Sequence, residues 1–298
     1  MHLRSTLIDD TYAEAFRMWA CRLVVTAVNK RWLQTAVQTV SGYGTSVIAC
    51  DAEVGLERYL TVDETLDGRH GAAILFFAFS LDALKKVIPK RVGQCLMTCP
   101  TTAVFDGLGE ASDRVPMGKH LRYFGDGNQK SKWLEGKRYW RIPIMDGEFV
   151  CEESCGAMKA IAGGNLQIEA VDQSHALEAA ERAVDAIAKV PDVITPFPGG
   201  VVSCGSKVGS RYPGLHVSAN EAFAPLLRSK SKTQLHEGVN SVLEIVIDGL
   251  SEEAIRKAMK DGIYAAAGEG IIAISAGNFG GKLGKFQFPL RAIMRGEA

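Results

Sequence analysis

A single carboxylate stands in the middle of an apolar stretch, SVLEIVIDGL, at residues 241–250. Alternation along a strand puts Glu244 on one face with Val242 and Val246, and the opposite face is apolar as well. A carboxylate in such surroundings is costly to bury ionised, so it is either paired or protonated. The stretch therefore allows two interpretations: a structural, ion-paired glutamate, or a neutral acid that takes part in chemistry.

Loop-like segments, most of them rich in glycine, supply backbone that can approach a ligand closely. The segment at 273–286 does not fit the phosphate-loop pattern GxxxxGK[ST], because Ala276 replaces its first glycine and Leu283 follows its lysine. Any one of the segments is equally typical of a turn or a strand end, but together they favour an extended cleft. The segments are YFGDGNQ (123–129), IAGGN (161–165), TPFPGGVVSCGSKVGSRY (195–212), SANEAFAP (218–225) and AISAGNFGGKLGKF (273–286).

Neither a nucleophile motif nor a metal motif is evident. There is no G-x-S-x-G elbow and no CxxC, and the seven cysteines, without a secretion signal, indicate free thiols in a reducing compartment. Cys95 and Cys99, like Cys151 and Cys155, are spaced more widely than zinc knuckles and have no histidine nearby. We expect buried thiols there, with neither a metal site nor a covalent intermediate.

The composition narrows the class of partner. Lys+Arg and Asp+Glu both number 34, so no net charge steers the chain toward nucleic acid or an anionic membrane. The longest apolar stretch, at 71–81, is about half the length of a bilayer span. We expect a cytoplasmic protein that binds neither nucleic acid nor membrane.

An internal repeat predicts the elements that carry these residues. SVIACDAEVG (46–55) matches GVVSCGSKVG (200–209), and AILFFAFSLDALKKV (73–87) matches EIVIDGLSEEAIRKA (244–258). Ser80 and Ser251 are suitable N-caps for the helices of the second pair.

Each half then reads as strand, helix, two strands, helix and a last strand, at 94–99 in the first half and 270–276 in the second. This predicts an α+β fold of two related ferredoxin-like lobes with a cleft for substrates. The predicted lobes are 1–148, which includes an inserted linker segment at 106–148, and 149–298, which carries Glu244.

The repeat also bears on the carboxylate, because the residue equivalent to Glu244 in the first half is Ala73. A carboxylate needed only to support the fold would be expected to recur. Its presence in one copy favours a specialised role, although both interpretations remain open on the sequence pattern alone.

Motifs along nearly the whole chain resemble those of the formylmethanofuran:tetrahydromethanopterin formyltransferase family. They are IDDTYAEAF (8–16), GYGTSVIACDAEVG (42–55), GQCLMTCPTTAVFDG (93–107), YFGDGNQ (123–129), IAGGN (161–165), PFPGGVVSCGSKVGS (196–210), LEIVIDGL (243–250) and ISAGNFGGKLG (274–284). The resemblance implies transfer of a formyl group between methanofuran and tetrahydromethanopterin through a tetrahedral intermediate. Both carriers would act as substrates, with no tightly bound cofactor.

The resemblance also assigns roles to individual residues. It makes Glu244 the catalytic residue, and burial is expected to raise the pKa of this carboxyl group so that it can donate to the formyl oxygen. The residues expected to bind substrate are Thr98, Pro100, Thr101, Gly163, Gly164, Asn165, Gly199, Gly200, Lys207, Asn220, Asn278, Phe279, Gly280, Gly281 and Lys282. Their alternative roles are loop capping and solvated charge.

The resemblance implies a homodimer or homotetramer, and association with other subunits of a formyltransferase/hydrolase complex in methylotrophic bacteria. A non-catalytic scaffolding subunit that positions formylmethanofuran is the alternative. Departures from the family pattern are Asp248, where asparagine is common, and Gln167 and Glu169, where apolar residues are usual. The balanced charge also differs from the acidic chains of salt-rich or hyperthermophilic members.

Overall fold

The computed structural model describes residues 1–205, 207–212, 214, 218–282 and 284–297. Its strands are β1 (His2–Leu3), β2 (Thr6–Ile8), β3 (Tyr12–Ala27), β4 (Glu53–Leu60), β5 (His70–Ala78), β6 (Ala103–Asp106), β7 (Asp113–Pro116), β8 (Lys130–Leu134), β9 (Lys137–Ile144), β10 (Gly147–Glu152), β11 (Ser154–Ala170), β12 (Val193–Ile194), β13 (Lys207–Val208), β14 (Ser218–Ala219), β15 (Ser241–Gly249), β16 (Ile271–Ser275) and β17 (Phe286–Pro289). Its helices are α1 (Lys30–Ser41), α2 (Leu81–Arg91), α3 (Gly118–Leu121), α4 (Gln173–Ile187), α5 (Glu252–Ala266) and α6 (Leu290–Arg295).

The chain forms two compact units, residues 18–160 and residues 1–17 together with 161–298. The boundaries between the units fall inside the long strands β3 and β11. The lobes predicted from sequence, 1–148 and 149–298, divide the chain differently and remain a prediction.

Unit 18–160 is built on a four-stranded antiparallel sheet in the order β6–β3–β5–β4. Strand β10 pairs with β6 in parallel, and β9 and β8 continue the sheet as an antiparallel hairpin. With α1 and α2 as its crossover helices, the unit has the β-α-β-β-α-β topology of a ferredoxin-like fold.

Local signals start both crossover helices of this unit. The side chain of Asn29 accepts from the Trp32 N–H before α1, and Ser80 accepts from the Ala83 N–H before α2. The apolar stripes of the helices then bury against one face of the sheet in a shared core that includes Leu23, Val25, Leu33, Val37, Ile74, Phe76, Leu84 and Ile88.

The second unit repeats this topology with different strands. Its sheet has the order β12–β15–β11–β16, all antiparallel, and β2 and β1 extend it beyond β16. Asp172 and Ser251 cap α4 and α5. Strand β17 pairs with the first residues of β3, at Tyr12–Ala15.

Helices α4 and α5 pack on one face of this second sheet. Ile245 and Ile247 of β15 and Leu166 and Ile168 of β11 enter the same core as the helices. The buried face of α4 is largely alanine, at Ala176, Ala179, Ala180 and Ala183, and α5 carries Gly262 close to Ile187 and Leu166. Small residues at these positions allow the helices and the sheet to approach closely. Because side chains alternate along a strand, the strand residues between the core positions point to the other face of the sheet.

The predicted α+β class and the ferredoxin-like topology of both halves are confirmed. The second repeat pair corresponds in register, because β5 and β15 occupy equivalent positions and each leads into a serine-capped helix.

Two features of the repeat are wrong. The last strand of the first half is not at 94–99; Val92–Leu96 forms a π-helical turn, and the strand is β6. Short apolar runs fit a buried helix as well as a strand, and Val92, Leu96 and Met97 do join the core. Segments 46–55 and 200–209 are not equivalent either. The second strand of the repeated topology is β4 (Glu53–Leu60) in one unit and β12 (Val193–Ile194) in the other, and β12 lies before 200–209. Part of the predicted linker at 106–148 belongs to the sheet, through β8, β9 and the start of β10.

No helix in the described ranges combines the length and the apolar character required to cross a membrane.

Candidate active site

The face of the second sheet opposite α4 and α5 carries a row of polar side chains. Residues Asn165, Gln167 and Glu169 of β11 alternate with its core residues, and Glu244 and Asp248 of β15 do the same. All five are less than a tenth exposed, at 7%, 1%, 1%, 7% and 0% in that order. Buried polar groups in a row are expensive unless they are bonded, so this face is a candidate functional surface.

Glu244 lies inside this row with its backbone held on both sides. It stands opposite Gln167 in the β11–β15 pair, and on its other side it exchanges hydrogen bonds with Val202, at 2.7 Å and 2.9 Å. The main chain at this residue is therefore anchored, which limits the positions that the carboxyl group can take.

Gly277 leaves a small space at which three polar side chains meet. A Cβ on Gly277 would lie 3.5 Å from Asn165 Oδ1, 3.6 Å from Gln167 Nε2 and 3.7 Å from Glu244 Oε1. Asn165 holds this glycine in place: it accepts from the Gly277 N–H at 2.6 Å and donates to the carbonyl oxygens of Gly163 and Gly277 at 3.1 Å. The carboxyl group of Glu244 thus borders a space lined by amides.

The glycine-rich loop after Gly277 wraps around the carboxylate of Glu14. This side chain, 1% exposed, accepts from the N–H groups of Phe279 and Gly281 at 2.8 Å and of Gly284 at 2.5 Å. Convergent backbone N–H groups of this kind form an anion site. Because Glu14 uses these donors, a substrate contact in this loop has to come from other atoms.

The sequence-predicted residues of this loop serve mainly to shape it. Asn278 donates to Thr11 Oγ1 at 3.1 Å and accepts from the Gly280 N–H at 3.1 Å, which forms a side-chain turn. The ring of Phe279 lies 6.1 Å from that of Phe16. Gly280 and Gly281 have φ of 70° and 72°, a left-handed conformation that favours glycine. Lys282 is exposed.

Backbone conformation or close packing requires glycine at the other glycine positions that are predicted to bind substrate. Gly163 occupies a bulge with φ of 101° and donates to Asp248 Oδ1 at 3.1 Å. A Cβ on Gly164 would come within 2.6 Å of Ile255 on α5, and one on Gly200 within 2.7 Å of Thr195. Gly199 has φ of 62° in a tight turn.

Lys207 and Asn220 lie at the two-stranded β13–β14 hairpin. Lys207 forms an ion pair with Glu221, and the side-chain oxygen of Asn220 accepts from the Gly205 N–H. Both side chains are exposed, so these contacts compete with water.

Thr98, Pro100 and Thr101 belong to the other unit, 18–160, after the π-helical turn. Thr98 donates to the Gln94 carbonyl oxygen at 2.7 Å. Thr101, with φ of 66°, donates its N–H to Asp146 Oδ2 at 3.2 Å, and its carbonyl oxygen accepts from Arg69. Thr101 is thereby fixed in a conformation that non-glycine residues adopt only when their surroundings hold them.

His236 connects the loop before β15 to the polar row. Its Nδ1 lies 2.9 Å from Glu169 Oε2, and its Nε2 lies 3.2 Å from Asp9 Oδ1. Partial burial opposes protonation, but the hydrogen bond with Glu169 and the charges of Glu169 and Asp9 raise the pKa of His236 above its usual value. Burial raises the pKa of Glu169, against the hydrogen bonds from His236. We favour the ion pair, since both ring nitrogens contact carboxylates.

This cluster predicts a pH-dependent contribution to stability. A histidine whose pKa is higher in the folded state stabilises the fold fully below its unfolded pKa of about 6.5, and the contribution is lost as the pH rises through its folded pKa. We expect His236→Gln to lower the thermal midpoint more at pH 6 than at pH 9. Thermal denaturation at both pH values measures this, and an equal decrease at both would contradict it.

Sequence reasoning missed three residues that the structure brings to the site. Gln167 drew notice only as a departure from the family pattern, and Gly277 only as part of a motif. Glu14 lies in IDDTYAEAF, 265 positions before the Phe279 amide that it binds, and no local signal connects the two.

A buried carboxyl group beside amide side chains and an open glycine suits acyl transfer, in which such groups stabilise a developing oxyanion. The fold and site thus define a two-unit α+β protein with the features of an acyltransferase. Among the described residues, no cluster of three or more His, Cys, Asp or Glu is arranged to hold a metal ion.

Comparison with known proteins identifies the family. Residues 1–144 match the model of formylmethanofuran-tetrahydromethanopterin formyltransferase, and residues 147–293 match that of its proximal lobe. The formyltransferase of this name from Methylococcus capsulatus is 53% identical over 298 residues, covering 99% of this chain and 100% of the relative. The chain therefore belongs to the formylmethanofuran-tetrahydromethanopterin formyltransferase family.

Solved structures agree. The formyltransferase of Methanosarcina barkeri superimposes with a TM-score of 0.93 at 47% identity, covering 98% of this chain and 100% of that one. A chain of the formyltransferase/hydrolase complex from Methylorubrum extorquens, solved with methylofuran, superimposes with a TM-score of 0.95 at 43% identity, covering 99% and 98%.

Proposed function

We propose that this protein transfers a formyl group between formylmethanofuran and tetrahydromethanopterin, with Glu244 as the acid that acts on the formyl oxygen. Membership of the family and full-length identity of about half support the reaction. The observation that carries the role of Glu244 is its buried carboxyl group beside the space at Gly277. Both one-carbon carriers act as substrates rather than as tightly bound cofactors.

The transfer proceeds through a tetrahedral adduct. The ring nitrogen of the pterin attacks the formyl carbon, the C=O bond opens, and negative charge develops on the oxygen. Glu244, protonated because burial disfavours its charged form, donates its proton to that oxygen. When the C–N bond to the methanofuran amine breaks, the C=O bond re-forms, the proton returns to Glu244, and the amine takes up the proton released by the attacking nitrogen.

The binding roles are proposed at the level of side-chain chemistry. The exposed cation of Lys282 suits the carboxylates in the tails of the carriers, and Lys207 can do the same by exchanging its partner Glu221. Asn165 orients Gly277 against Glu244. Contacts from Thr98, Pro100 and Thr101 of unit 18–160 and from Asn220 remain proposals of the same kind.

A spectrophotometric assay of formyl transfer tests the function directly. Purified full-length chain alone, given formylmethanofuran and tetrahydromethanopterin, should form the formylated pterin. Such activity without other subunits would exclude a purely scaffolding role. Formation of product only after hydrolase-complex subunits are added would overturn independent catalysis and favour the scaffold. Assembly into dimers or tetramers, also proposed, is measured by light scattering on the same sample.

Gly277 provides a specific test of the site. A Cβ there would lie at ordinary contact distances of 3.5–3.7 Å, so Gly277→Ala should fold with an unchanged thermal midpoint. Its methyl group would nevertheless fill the space beside Glu244, and we expect transfer to fall about 10- to 100-fold through misplacement of the formyl group. Steady-state kinetics measure this, and unchanged kcat/KM would place the formyl group elsewhere.

Gly268→Ala is the matched control. Its Cβ would meet no neighbouring atom within 4 Å, and its φ lies outside the left-handed region. We expect this variant to keep the thermal midpoint and the kcat/KM of the unmutated chain.

A further inference from the structure

Gln167 and Glu244 share one small polar space. They are directly opposed in the antiparallel β11–β15 pair, where Cβ atoms lie about 4.5–5.5 Å apart. Gln167 Nε2 and Glu244 Oε1 also lie 3.6 Å and 3.7 Å from the same point, the Cβ position of Gly277. The Gln167 amide is therefore placed to act on the Glu244 carboxyl group.

The Nε2 group of Gln167 has no hydrogen-bond acceptor within the described part of the chain, and it is shielded from solvent. An unpaired buried donor costs about 1–3 kcal/mol and is rare in folded proteins. By contrast, the amide of Asn165 in the same row is fully engaged with Gly163 and Gly277. The unpaired donor points to an acceptor that arises when the site is at work.

We propose that Gln167 is a positioning residue that stabilises the carboxylate formed on Glu244 while the acid has given its proton to the tetrahedral adduct. This inference rests on the proposed function. As the O–H bond of Glu244 breaks and the proton binds the adduct oxygen, the negative charge moves to the Glu244 carboxylate. An N–H donor beside it favours that charged form. When the adduct collapses, the proton returns and the hydrogen bond is no longer needed.

Other charged groups around this face act in the opposite sense. Asp248 lies on the same face of β15 as Glu244, and Glu169 lies two residues beyond Gln167 on β11. Glu14 lies on β3, and its backbone N–H donates to the Gly277 carbonyl oxygen at 3.3 Å. These carboxylates oppose ionisation of Glu244 by charge repulsion, while each is bonded to groups of its own. The protonated ring of His236 forms an ion pair with Glu169 and offsets part of that repulsion.

The test is Gln167→Met, which keeps the length of the side chain and removes the donor. Glu244 should then ionise at higher pH, so the alkaline limb of the kcat profile should move up by about one pH unit. As Glu244 becomes a weaker acid, kcat at neutral pH should fall by up to about 10-fold, with KM for formylmethanofuran little changed. The thermal midpoint should not fall, because an apolar group replaces an unpaired buried amide.

Gln38→Met, on the exposed side of α1, is the control and should match the unmutated chain in rate, pH profile and thermal midpoint. An inactive unmutated chain would refute the proposed function itself. An active chain whose Gln167→Met variant keeps the original alkaline limb would overturn the inference alone. A lower thermal midpoint without a shifted limb would also overturn it, by assigning Gln167 to the fold only.

Discussion

Glu244→Gln should lower the rate of formyl transfer by about 100- to 1,000-fold while leaving the protein folded. The glutamine has nearly the same shape and keeps an N–H donor, but it has no proton to give to the oxyanion of the adduct. Since Glu244 is 7% exposed and its backbone is held by Val202 and the neighbouring strand, the substitution should disturb the packing little. KM should change less than kcat, because the lost interaction strengthens in the transition state.

The pH profile separates this role from a structural one. In the unmutated protein, transfer should decline at alkaline pH as Glu244 loses its proton, and Glu244→Gln should lack that limb. Denaturation curves at pH 7 serve as the control for folding. If the variant turns over at the original rate with the original profile, Glu244 is a structural glutamate, the first of the two interpretations that its apolar strand allows.

Glu14→Ala should lower the free energy of unfolding by about 3 kcal/mol, because three charge-assisted hydrogen bonds from Phe279, Gly281 and Gly284 are lost together. That is a large part of the stability of a typical domain. The loop should also lose its shape, so transfer should fall even where the variant is folded. Urea denaturation measures the loss of stability, and hydrogen exchange of the Phe279 and Gly281 amides measures the loss of loop structure.

Glu14→Gln is the matched control for this loop. Its side chain fills the same space and keeps one acceptor oxygen, so we expect roughly half the loss of stability. Equal stability of Glu14→Ala and the unmutated chain would show that water replaces the carboxylate at the loop amides without cost. The loop could then be open to an anionic ligand, contrary to the structure.

Much of the fold was predictable from local patterns. Alternating apolar residues define β5 and β15, and Ser80 and Ser251 mark the helices that follow, because caps and side-chain periodicity act within a few residues. The last strand of the first half was not predictable in this way. The apolar run at 94–99 fits a strand and a buried helical turn equally, and only packing into the core distinguishes them.

In the functional site too, local sequence patterns predicted some features and only the tertiary structure decided others. By itself, the sequence determined that Glu244 is a carboxylate inside an apolar strand, that its repeat partner is Ala73, and that the chain resembles one family along nearly its whole length. Tertiary structure alone decided that Gln167 stands opposite Glu244, that Gly277 opens the space between them, and that Glu14 occupies the loop amides. Strand register and loop closure join residues far apart in the chain, and no local pattern of residue types specifies which of them will meet.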